Sequence, residues 1–78
     1  MTKIAITDCG GRIQIDHEDR HVDVMISLDD AGTYVISGSV NDVTPDHRGV
    51  HALIGYERAE ADSFEGARRR AERMAETL

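Results

Sequence analysis

Apolar residues recur at every second position through most of the first three quarters of the chain, and that period of two is the signature of half-buried strands. Ile4 and Ile6 share one face of a strand near residues 2–7, and Ile13 and Ile15 share one face of another near 12–16, with Arg12, Gln14 and Asp16 pointing away. Between them Asp8-Cys9-Gly10-Gly11 reads as a tight turn, because paired glycines accept the positive φ that hairpins require. Val22, Val24, Ile26 and Leu28 alternate with Asp23, Met25 and Ser27 in a third strand, which Asp29-Asp30-Ala31-Gly32 reverses. A fourth strand runs over 33–40 with Tyr34, Ile36 and Val40 inward, and Gly38 within it marks a bulge or a close backbone approach. Residues 41–49, which contain Pro45, form a loop, and Val50, Ala52, Ile54 and Tyr56 make the inner face of a fifth strand over 50–57.

The period then changes. Phe64, Ala67, Ala71, Met74, Ala75 and Leu78 fall on one stripe at 100° per residue, so a helix ends the pattern, with Asp62 and Glu65 at capping-box spacing at its start. Gly66 lies opposite the stripe, where no packing reason for it is visible. Short turns between successive strands favour neighbours in sequence as neighbours in space. The expected fold is therefore α+β, a single domain over 1–78: an antiparallel β-meander of about five strands with one C-terminal helix packed on one face, in two layers. The other face is left without a layer and carries Gln14, Asp23, Ser27, Thr33, Ser37 and Ser39 around Met25, Val35 and Leu53. Those three apolar residues are candidates for a homodimer or partner interface.

Composition changes this picture little: 78 residues, 40% apolar and 31% charged, are ordinary for one small globular domain whose stability is marginal. With one cysteine, Cys9, no internal disulfide is available; with no leader pattern and no long apolar run, a cytoplasmic location and no membrane contact are expected. Charge changes it more. Up to Glu57 ten acids stand against four bases, and beyond it five stand against five, so the net −6 belongs to the sheet half. Arg68, Arg69 and Arg70 are offset by Glu65, Glu72 and Glu76 at helical spacing. Direct nucleic-acid binding is disfavoured, since it needs a basic stripe.

In a meander alternate turns emerge at the same end. Asp16, Glu18, Asp19, Asp42 and Asp46 then gather at one end with His17, His21, His47 and His51, and Asp8, Asp29 and Asp30 at the other. The run His17-Glu18-Asp19-Arg20-His21 matches the zinc-protease pattern H-E-x-x-H, which requires a helix to put both imidazoles on one face; strands bounding it on both sides leave no room for one. A non-catalytic metal- or small-ligand-binding site from His17, His21, His47 and His51 is the alternative use of this end, though no metal and no cofactor is the leading expectation. No phosphate-binding glycine loop or nucleophile elbow occurs, and an enzyme is not expected.

The segment Asp62-Ser63-Phe64-Glu65-Gly66-Ala67, with Ala71, resembles the strand-to-helix step of HicB-type antitoxin domains, which carry a D-T/S-x-E-E-A run on a related small sheet. The likeness covers less than a quarter of the chain; Gly66 stands where that family has a second acid, and Val43-Thr44-Pro45-Asp46 does not match its proline-centred loop. It implies the same kind of small-sheet architecture and, as an alternative function, an antitoxin-type module. In size and charge the chain is also similar to phage-encoded inhibitors such as anti-CRISPR proteins. The leading expectation is a non-catalytic acidic inhibitor or modulator that offers Asp16, Glu18, Asp19, Asp23, Asp42 and Asp46 to a larger basic protein, possibly nucleic-acid-binding.

Overall fold

The computed structural model describes residues 2–7, 10–42 and 52–78. Five strands, β1 (Thr2–Thr7), β2 (Gly10–Asp16), β3 (Arg20–Leu28), β4 (Tyr34–Asp42) and β5 (Ala52–Ala61), form one antiparallel sheet in sequence order, and α1 (Phe64–Thr77) packs on one face. The expected βββββα architecture is thus the observed one. Asp8, Cys9 and residues 43–51 lie outside the described residues, and Asn41 and Asp42, expected in a loop, close β4 instead.

Alternation locates the core correctly in the middle of the sheet. Val22, Val24, Ile26, Ile36, Val40 and Ile13 are buried against Ala67, Ala71, Met74 and Ala75 of α1. Alanines at successive turns let the helix axis come close to the strands, so small branched side chains suffice to fill the layer. Gly38 has its place in the same contact. A Cβ built there would lie 2.5 Å from Met74 Sδ and 2.7 Å from Leu78 Cδ1, so Gly38 is the floor on which the last turn of α1 rests. The close approach expected at this glycine is real, and the irregularity of the sheet lies farther along, between Val40 and Asn41.

That irregularity overturns the expected inner face of the fifth strand. Val40 pairs with Gly55 but Asn41 pairs with Leu53, so Ile54 is an extra residue, and beyond the bulge Tyr56 stands opposite Ser39 on the uncovered face. Ile54 and Tyr56 are 58% and 61% exposed, and Ala59 and Ala61 pack against the core in their stead. The physical reason is the helix that starts directly after β5, which needs small residues beneath its first turns. Leu28, also expected inward, is 45% exposed at the end of β3. Its neighbour Tyr34 meets Phe64 with ring centroids 6.0 Å apart, closing the core at that end.

The helix start differs from expectation by one residue. Ser63, in extended conformation, is the N-cap, and its Oγ accepts the Gly66 N–H at 3.1 Å, so Asp62 is not the capping residue. Gly66 thereby acquires a reason: a Cβ there would lie 3.1 Å from that same hydroxyl. Gly66→Ala is expected to give little of the roughly 1 kcal/mol that alanine usually gains over glycine in a helix, and to give it in full once Ser63→Ala has removed the hydroxyl, itself at a cost of about 1 kcal/mol. Urea unfolding of the two single variants and the double variant measures that coupling.

Candidate interaction surface

Strand register arranges the uncovered face as rows crossing the sheet. One row holds Asp16, His21, Asn41 and Leu53; the next holds Lys3, Gln14, Asp23, Ser39 and Tyr56; then come Ala5, Arg12, Met25, Ser37 and Arg58, and last Thr7, Ser27, Val35 and Glu60. Leaving Asp16 to the strand end, Lys3, Arg12 and Arg58 stand against Asp23 and Glu60, so the rest of the face carries no net negative charge. Arg12 and Asp23 form a two-pronged pair across β2 and β3, Nε to Oδ1 at 2.9 Å and Nη2 to Oδ2 at 2.7 Å. The hydrogen bond to Asp23, and next its charge, make the Arg12 guanidinium still harder to deprotonate. Asp23, one of the acids expected to meet a partner, is therefore a mid-face residue with its own counter-ion.

The unbalanced charge lies at the ends of the strands. Asp16 closes β2, Glu18 and Asp19 form the turn to β3, and Asp42, opposite Arg20, closes β4. Asp19 contacts Arg20 at 3.1 Å while remaining 68% exposed, and Glu18 is exposed without an ion pair among the described residues. His21 Nδ1 donates to Asp16 Oδ1. That hydrogen bond, more than the charge of His21, holds the Asp16 carboxyl below the usual carboxylate range, with desolvation opposing it. The pair adds to stability above that range and ceases to do so as pH falls through the lowered value and Asp16 takes up its proton. At the opposite end the Asp29 carboxylate is engaged in its own turn, accepting the Ala31 and Thr33 amides at 3.0 and 2.8 Å, and Asp30 beside it is exposed.

The structure thus brings Asp16, Glu18, Asp19 and Asp42 to one end, sets Asp23 apart, and leaves Asp46, His47 and His51 outside the described residues. His17 to Asp19 form a turn and His21 lies in β3, so the H-E-x-x-H run is not helical. Among the described residues no three His, Cys, Asp or Glu converge to hold a metal. No family model, curated protein or solved structure matches the chain. The segment Asp62 to Ala67 does form the step from β5 into α1, the position that the antitoxin resemblance implies. Among the described residues no helix is long and apolar enough to cross a membrane.

Met25 and Val35 are diagonal neighbours on β3 and β4, but Leu53 lies at the far end of the face, with the rows of Asp23 and Met25 between it and Val35. Leu53 instead accompanies the exposed Ile54 and Tyr56 along β5. That second apolar group was hidden in the sequence by the bulge. A third, Ile4 at 64% exposure, follows from widths alone: five strands at about 4.8 Å spacing are broader than one helix of about 10 Å.

Proposed function

We propose that the chain is a non-catalytic cytoplasmic interaction protein whose β2–β3 end presents Asp16, Glu18, Asp19 and Asp42 to a basic surface on a larger protein. The observation that carries this reading is the segregation of charge: away from the rim the open face carries no net negative charge, and on α1 Arg68 pairs with Glu72 and Arg69 with Glu65, both at 3.1 Å. At the rim, residues 16–21 and 41–42 hold four acids and one arginine. Carboxylates projecting from turns reach a partner first, steer its approach, and occupy positions where phosphates would sit. A nucleic-acid-binding partner fits that chemistry, and the chain then acts as an inhibitor or modulator, in the manner of anti-CRISPR-like inhibitors.

The test starts from capture of the partner in extract of the native host and continues with the purified pair. Asp16→Lys/Asp19→Lys is expected to weaken binding by about 100-fold or more, and the unmodified pair should weaken steeply between low and physiological salt. Asp30→Lys, at the opposite end, should change binding little. Equal binding by the Asp16/Asp19 double variant and the parent would remove the rim from the mechanism.

A further inference from the structure

The two edges of the sheet are unlike. β5 is protected in the way edges usually are, by a bulge near one end and by Glu57, Arg58 and Glu60 along its length. β1 reads Thr-Lys-Ile-Ala-Ile-Thr, with one charge, no proline and no bulge, and among the described residues no strand pairs with its outer edge. It also lies beyond the main contacts of α1, which rests on β3, β4 and β5 and reaches β2 least. Between β1, β2 and the helix runs an open trough of about 230 Å³ lined by Ile4, Ile13, Ile15 and Ala75 and, on α1, by Glu72 and Glu76.

We infer that the outer edge of β1 is a homodimer interface, in which two copies pair their β1 strands antiparallel and continue the sheet across a two-fold axis through Ala5. The occupant is a second copy because the strand is complementary to itself. About Ala5 its sequence places Ile4 opposite the second copy's Ile6 on the helix side, and Lys3 opposite the second copy's Thr7 on the open side. The single charge of the strand never meets its own kind. A two-fold axis perpendicular to the sheet keeps both helices on one side, so the two troughs join and the exposed Ile4 of each copy closes the other's. The outward N–H and C=O groups of Lys3 to Thr7 gain partners over about 17 Å of strand, a length of five residues. A domain of this size, with a thin core built partly on alanine, gains support of the kind that oligomerisation gives small folds. This interface is separate from Met25, Val35 and Leu53, and it presents two acidic rims per assembly.

Light scattering under reducing conditions, so that Cys9 cannot link chains, tests this between about 5 and 500 μM. The mass should rise from that of the 8.6 kDa chain toward twice that value. Ile4→Lys should weaken dimerisation at least tenfold, whereas Met25→Lys on the open face should leave it unchanged. Hydrogen exchange on the unmodified chain needs no substitution: amides within Thr2–Thr7 should become more protected as concentration rises. A parent that stays monomeric throughout, a dimer lost on Met25→Lys but kept on Ile4→Lys, or exchange in β1 independent of concentration would each overturn the inference.

Discussion

Gly38→Val is expected to destabilise the protein by about 3 kcal/mol, a large part of the whole stability of a 78-residue domain. The first added carbon already falls 2.5 Å from Met74 Sδ and 2.7 Å from Leu78 Cδ1, and valine adds two further methyl groups in the same gap. Met74 is 5% exposed, so it has little room to swing aside, and the last turn of α1 must lift. Lifting it uncovers Val40 and Ala75. Urea denaturation followed by far-ultraviolet circular dichroism gives the magnitude, and Met74→Ala in the Gly38→Val background should recover part of it by vacating the contested volume. A Gly38→Val protein as stable as the parent would mean that the helix does not sit on β4 at this point.

Ile36→Ala should cost about 3 kcal/mol and Tyr56→Ala no more than about 0.5 kcal/mol, although both residues fall on the inner face of a strand by simple alternation. Ile36 is fully buried beneath the helix, and Tyr56 is 61% exposed opposite Ser39. Comparing the two by chemical denaturation decides the phase of β5. The central strands were legible because a burial preference repeats over Val22, Val24, Ile26 and Ile36 with nothing to interrupt it. The phase of β5 was not, because a one-residue bulge exchanges the two faces of a strand and leaves no mark in a run such as Leu53-Ile54-Gly55-Tyr56. Nor was the choice of Ser63 over Asp62 as cap, since both side chains can accept from an orphan amide and only the backbone path into the helix separates them.

The candidate surface was legible to the same depth. Meander topology alone puts Asp16, Glu18, Asp19 and Asp42 at one end, and β-strand register confirms that gathering. Asp23 was placed with them by its charge; its two-pronged bond to Arg12 depends on which residues β2 and β3 bring opposite each other, and sequence periodicity does not contain that offset. The same limit explains Met25, Val35 and Leu53. They lie on one face, but contiguity on a face needs register across β3, β4 and β5, and register divides them.

The rim-charge mechanism makes its most direct prediction for amide chemical shifts of isotope-labelled chain titrated with the captured partner. The largest changes are expected from Asp16 to Arg20 and at Asn41 and Asp42, with the rows of Met25 and Val35 little affected. Changes centred on Met25, Ser37 and Val35, with the residues from Asp16 to Arg20 unmoved, would contradict it.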